Sequence, residues 1–138
     1  MKAKRTFNHN LPIPRRATEG SAGFDLPLAE SITIDMGQQV KLSTGWAFEL
    51  PKGAFGLIKD RSSMAKLRLY TSAGVIDNDY RGEVKVLMIN RSTVPIKLQK
   101  GEFIAQMIIV QSCWDSFQEW DELSETARDQ GGFGSTNK

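Results

Sequence analysis

Cysteine and histidine are almost missing from this chain, and each shortage removes a class of chemistry. Cys113 is the one cysteine, so no disulfide can close within the chain, which suits a reducing compartment. His9 is the one histidine. Together with Cys113 it cannot build a zinc site, and its unpatterned N-terminal surroundings do not suit a serine–histidine triad. Long apolar runs are missing too: no stretch approaches the ~20 residues of a membrane-spanning helix. The opening MKAKRTFNHN is basic but is followed by no apolar segment, so no secretory signal is expected. Charge of one sign is also lacking. With 18 basic residues against 16 acidic ones the formal balance is only +2, which speaks against a broad basic face for a nucleic-acid backbone. The expectation is a soluble, intracellular, cytoplasmic protein with neither membrane nor nucleic acid as partner. Its 138 residues suffice for one domain with a sizeable core.

What the chain does have is a series of short alternating runs. Strands are expected near SITID (31–35), QVKLS (39–43), WAFEL (46–50), AFGLIK (54–59), LYTSAGVI (69–76), EVKVLMIN (83–90), VPIKL (94–98) and EFIAQMIIVQ (102–111). Gly37, Gly45, the PKG at 51–53, Asn90 and the KG at 100–101 punctuate the gaps. Many short strands at this spacing predict an all-β sandwich, jelly roll or barrel. Two places break the pattern. RSSMAKL (61–67) offers serines as N-caps for one helical turn. In 114–128 the residues Trp114, Phe117, Trp120 and Leu123 fall at steps of three, which taken alone favours a helix. The last eleven residues, RDQGGFGSTNK, cannot form a core and read as a mobile arm.

Four stretches could carry chemistry. In AGVIDNDYRGEV (73–84) the DNDYRG could be a simple hairpin turn, since Asn and Asp tolerate left-handed backbone. Strands on both sides would nevertheless hold Asp77 rigidly, as a general base needs, and Tyr80 offers a flat apolar face. The backbone of such a hairpin can also present N–H and C=O groups to a planar base. DRSSMA (60–65) combines a cation, two hydroxyls and a helix start, which suits an anion; an ordinary capped turn is the alternative. In GEFIAQMII (101–109) a single amide, Gln106, interrupts an apolar strand, and such amides usually serve structure. RDQGGFGST (128–136) places Arg128 before glycines that could wrap phosphate oxygens, with Phe133 among them and Ser135 and Thr136 after. Disorder is the alternative there.

Taken in order, AGFDL (22–26), DRSSMA (60–65), GVIDNDYRGEV (74–84), GEFIAQMII (101–109) and RDQGGFGST (128–136) resemble the five motifs of trimeric dUTPases. The resemblance implies a distorted jelly-roll barrel over residues 1–127, with one short helical turn, and a flexible glycine-rich arm over 128–138 that closes over the site. It implies a homotrimer with shared active sites that hydrolyses dUTP to dUMP and pyrophosphate, limiting uracil in DNA and supplying dUMP for dTMP synthesis. Carried over by position, Asp77 would activate the water that attacks the α-phosphorus. Tyr80 would pack beneath the deoxyribose and exclude a 2′-hydroxyl. Backbone from Thr71 through Gly74, Val75 and Ile76 would read uracil. Arg61, Ser62, Ser63 and Gln106 would contact phosphates. From the arm, Arg128, Gly134, Ser135 and Thr136 would meet the phosphate chain, with Phe133 over the base. Asp25 would support the site by hydrogen bonding. Mg²⁺ would ride on substrate phosphates and water rather than on protein ligands. For 114–128 the resemblance implies a short strand and a linker instead of a helix.

The match is not complete. Asp60 and Ser63 stand where relatives often have Pro and Gly, Thr71 stands in place of an asparagine, and Asp129 follows Arg128 in place of glycine. Asp60 would bring negative charge beside the phosphates unless it points away or pairs with Arg61. A dCTP deaminase of the same fold is the nearest rival, but Leu87 occupies the place of its glutamate and cannot shuttle protons. A non-catalytic nucleotide-binding or regulatory module is the rival from another class.

Overall fold

In the computed structural model, residues 1–131 are described. They form β1 (Lys2–Arg5), β2 (Gly23–Pro27), β3 (Ile32–Ile34), β4 (Gln39–Ser43), β5 (Trp46–Glu49), β6 (Ala54–Asp60), α1 (Ser62–Lys66), β7 (Leu69–Ser72), β8 (Val75–Ile76), β9 (Lys85–Asn90), β10 (Ile96–Leu98) and β11 (Phe103–Gln111). The strands assemble as β2-β11-β6-β8, β4-β9-β7 and the ribbons β1-β5 and β3-β10. This is the expected all-β, distorted jelly-roll architecture with one short helix.

Period-two patterning decides which faces turn inward. Along β9, Lys85 is exposed while Val86, Met88 and Asn90 are buried. Val86 and Met88 join Leu26, Ile34, Ile58, Leu69 and Ile104 in one continuous core. At about 1.5–3 kcal/mol for each buried large aliphatic side chain, this core holds the barrel together. Asn90, read from sequence as a gap marker, is fully buried and organises the turn after β9. Its Nδ2 donates to the carbonyls of Ile34 and Val94, both at 2.9 Å, and its Oδ1 accepts the Ser92 N–H at 2.8 Å. His9 is structural as well: its Nε2 lies 2.8 Å from the Gly45 carbonyl and its Nδ1 accepts the Leu11 N–H at 3.2 Å.

The structure departs from expectation in four places. The expected strand over 69–76 divides into β7 and β8 where Ala73 and Gly74 take positive φ, 56° and 101°. β1 and β2 were not expected. The first is a mostly exposed edge of lysines and arginine, and the second carries a glycine and a proline that mask its alternation. No serine caps α1: Arg61 is its N-cap, without a side-chain capping bond. Neither helix nor strand forms in 114–128, where the backbone is irregular and exposed. A helix of that length needs a packing partner for its apolar face, and Phe117, Trp120 and Leu123 have none among the described residues. None of the described helices is long and apolar enough to cross a membrane.

Candidate active site

The second motif sits where β6 runs into α1. Asp60 ends the strand, and its carboxylate accepts both the Thr71 N–H at 2.6 Å and the Thr71 hydroxyl at 2.7 Å. The acid thus turns toward β7 and does not pair with Arg61, while Thr71 commits its hydroxyl inside the protein. Arg61 is held by two bonds: Nε donates to Asp25 Oδ1 at 2.9 Å and Nη1 to the Phe103 carbonyl at 2.8 Å. Both partners are largely screened from water, with 29 % and 13 % of the Arg61 and Asp25 side chains exposed. The guanidinium also lies 5.6 Å from the Phe103 ring centroid. Gln106, on β11 between Asp25 of β2 and Lys59 of β6, donates from Nε2 to the Asp60 carbonyl at 2.9 Å. Ser62 and Ser63 are exposed at the start of α1. Arg61, Ser62, Ser63, Gln106 and Asp25 therefore form one cluster of charge-assisted bonds and free hydroxyls, suited to an anion.

Asp77 and Tyr80 sit elsewhere. β8 pairs with β6, Ile76 opposite Gly56 and Val75 opposite Leu57, whereas β9 pairs with β4 and β7. The bend at 77–84 therefore passes between two sheets, and the expected hairpin across Asp77 is not formed. Gly74 needs its missing side chain: a Cβ there would lie 2.9 Å from Ile58 Cβ, and its carbonyl accepts the Ile58 N–H at 2.8 Å. The bend itself is closed by the Tyr80 N–H on the Asp77 carbonyl, 3.2 Å, and by Arg81 Nη1 donating to the carbonyls of Asn78, 2.6 Å, and Tyr80, 3.0 Å. Tyr80 donates its hydroxyl to the Glu83 carbonyl at 3.1 Å. Glu83, which sequence reasoning missed, clamps the end of the bend to the β4–β5 turn by accepting from the Ser43 hydroxyl and from the Gly45 N–H.

The carboxylates divide into committed and uncommitted ones. Asp25, Asp60 and Glu83 all have partners. The exposed Asp77 carboxylate has no hydrogen bond or ion pair among the described residues, and it opens on a cavity with Phe55, Asp79, Ser112 and Trp114. Tyr80 lines a neighbouring cavity with Ile76, Glu83 and Leu87. Among the described residues no three His, Cys, Asp or Glu side chains converge as metal ligands.

The two clusters lie at opposite ends of β6. Asp77 follows Ile76, the partner of Gly56, and shares its cavity with Phe55; Arg61 lies six residues farther along. At about 3.3 Å per residue the separation is roughly 20 Å, whereas reacting atoms must approach to about 3–3.5 Å. One chain does not bring both clusters to one reacting atom. Arg128 donates from Nε to the Gly131 carbonyl at 2.8 Å, a bond within its own segment, and Asp129 has a positive φ of 42°. Phe133, Gly134, Ser135 and Thr136 lie outside the described residues.

Comparison with known proteins gives a consistent family. The dUTPase family's sequence profile matches residues 9–137. The deoxyuridine 5′-triphosphate nucleotidohydrolase of Corynebacterium diphtheriae is 44% identical over 140 residues, covering 99% of this chain and 92% of that protein. The enzyme of the same name from Nautilia profundicola is 41% identical over the whole of both chains. Among solved structures, a Staphylococcus bacteriophage 80alpha dUTPase mutant with dUpNHpp superposes with a TM-score of 0.92 at 23% identity, covering 98% of this chain and 96% of that one. The native EIAV dUTPase superposes with a TM-score of 0.76 at 32% identity, covering 89% and 98%. With that profile spanning nearly the whole sequence and relatives above 40% identity over nearly their full lengths, the chain belongs to the dUTPase family.

Proposed function

We propose that the protein hydrolyses dUTP to dUMP and pyrophosphate, and that Asp77 is the general base. The observation that carries this reading is the Asp77 carboxylate, which directly follows β8, opens on a cavity and has no partner among the described residues. Asp79 beside it is likewise unpaired among them but stands farther from the strand, whereas Glu83 at the end of the bend is occupied. Asp77 takes a proton from a water whose oxygen bonds to the α-phosphorus, as the bond from that phosphorus to the bridging oxygen of the β-phosphate breaks and the electron pair leaves with pyrophosphate. Acid–base help of this kind is worth about 10²–10⁴ in rate; the remainder comes from in-line placement and charge compensation.

Arg61, oriented by Asp25, meets the phosphate chain together with Ser62, Ser63 and Gln106. Backbone of residues 71–76 reads uracil, and Tyr80 lies under the deoxyribose. Because the two clusters stand at opposite ends of β6, the complete site takes Asp77 and Tyr80 from one chain and Arg61, Ser62, Ser63 and Gln106 from a neighbour, as in a symmetric trimer. Residues 1–127 form the body and 128–138 the arm that closes on the ligand, with Arg128, Gly134, Ser135 and Thr136 on phosphates and Phe133 over the base. Mg²⁺ would be carried by substrate oxygens and water rather than by protein ligands. When bound there, it supplies compensation for the triphosphate charge. The reaction keeps uracil out of DNA and supplies dUMP for dTMP synthesis, in the cytoplasm.

The test is pyrophosphate release from dUTP, dCTP and UTP. Release from dUTP alone supports the proposal. Ammonia from dCTP would indicate a deaminase, and inactivity on all three a binding module.

A further inference from the structure

Beside the Arg61 cluster lies a cleft of about 430 Å³ lined by Arg15, Arg16, Ala17, Asp25, Arg61 and Phe103. Its lining is one-sided in charge: three arginines against one aspartate, and that aspartate is already bonded to Arg61 Nε. The Arg15 backbone and the Arg16 and Arg61 guanidinium groups are held in place. Arg15 pairs with Asp25 through its backbone, its carbonyl accepting the Asp25 N–H at 2.9 Å. Arg16 rests on the Phe24 ring with 5.0 Å to the centroid, and Arg61 rests on Phe103. Arg61 Nη2 and the Arg15 guanidinium have no partner among the described residues. Forked donors held on aromatic faces match the oxygens of a polyanion and lose little entropy on binding it. Neither Arg15 nor Arg16 belongs to any of the five motifs.

We propose that Arg15 and Arg16 complete, with Arg61, a subsite for the two outer phosphates of the substrate, the pair that leaves as pyrophosphate. This rests on the reading of the protein as a dUTP hydrolase. In-line displacement places the leaving oxygen opposite the attacking water, so the subsite belongs on the Arg61 side of the phosphorus, away from Asp77. Pyrophosphate is then retained after the α-bond breaks and acts as a product inhibitor competing with dUTP.

The test titrates inorganic pyrophosphate and, separately, dUMP into the full chain and into the Arg15→Gln/Arg16→Gln variant by calorimetry, with dUTP kinetics alongside. Pyrophosphate affinity falls about tenfold or more in the variant, where tenfold corresponds to about 1.4 kcal/mol. Affinity for dUMP, which has no outer phosphates, stays as in the parent, and the kinetic loss falls on KM more than on kcat. Pyrophosphate affinity within about twofold of the parent's overturns the proposal, as does an equal loss of dUMP affinity. Should the double variant not fold, Arg15→Gln alone decides by the same criteria. A parent that binds pyrophosphate through these arginines but neither binds dUMP nor hydrolyses dUTP retains the oxyanion cleft and refutes the nucleotide reading.

Discussion

Gly82 is where the placement of Tyr80 can be disturbed without touching its chemistry. A Cβ at Gly82 would lie 2.5 Å from Tyr80 Cζ, and closer still to Oη. Ordinary carbon contacts begin near 3.5 Å, so in Gly82→Ala the ring recedes by about 1 Å and surrenders its 3.1 Å bond to the Glu83 carbonyl. Tyr80 is 46% exposed, so the ring has room to move and the fold survives; the lost hydrogen bond costs about 0.5–1.5 kcal/mol. The functional effect is larger than the structural one. If Tyr80 is the wall proposed under the deoxyribose, withdrawing it by about 1 Å admits the 2′-hydroxyl, and one such increment of pocket shape is worth about 1–3 kcal/mol, or roughly 10–200-fold in selectivity. The assay is the ratio of kcat/KM for dUTP over UTP in parent and variant, with a thermal melt as control. The ratio falls by at least the lower of these factors. An unchanged ratio in a folded Gly82→Ala protein would refute Tyr80 as the sugar gate.

Asp77→Asn retains the fold and nucleotide binding while kcat falls about 10²–10⁴-fold, read by single-turnover kinetics; near-normal turnover contradicts the base assignment. Asn90→Leu removes three side-chain bonds at once. It strips a buried donor from the Ile34 and Val94 carbonyls, costing about 1–3 kcal/mol in a denaturant titration; a loss well below that contradicts its role as hub. Glu49 is drawn below its usual carboxylate range, first by the hydrogen bond from Lys2 and then by the charge of Lys2. The pair's contribution is therefore present above the ordinary glutamate range and is lost as pH falls through the lowered value. Lys2→Ala removes that acid-side dependence of the melting temperature, and high salt mutes it in the parent, because both members of the pair reach solvent.

The strands that were legible in the sequence are those with one wet and one dry face. Lys85 through Asn90 and Ala54 through Asp60 alternate because one side packs in the core. The edge strand Lys2–Arg5 was not legible, since a basic ribbon that buries almost nothing leaves no periodic trace. The steps of three from Trp114 to Leu123 carried a helical period, but a period specifies a helix only where another surface receives its apolar face. At the candidate site, Asp77, Tyr80 and Arg61 could be singled out by residue type and position, whereas Gln106 read as a structural amide and entered only through the family resemblance. The bonds of Asp60 to Thr71 and of Glu83 to the Gly45 turn were not, because each joins residues far apart in sequence. Motifs that follow one another along the chain also conceal distance: Arg61 and Asp77 stand 16 positions apart in sequence, yet β6 holds them at opposite ends.

Complementation tests that separation most directly. Chains carrying Asp77→Asn and chains carrying Arg61→Ala, each inactive alone, are mixed in equal amounts, unfolded and refolded together. If every site takes Asp77 from one chain and Arg61 from a neighbour, random assembly of a symmetric oligomer restores about one quarter of the parent's activity per site. A mixture that stays as inactive as its two components would contradict the shared site.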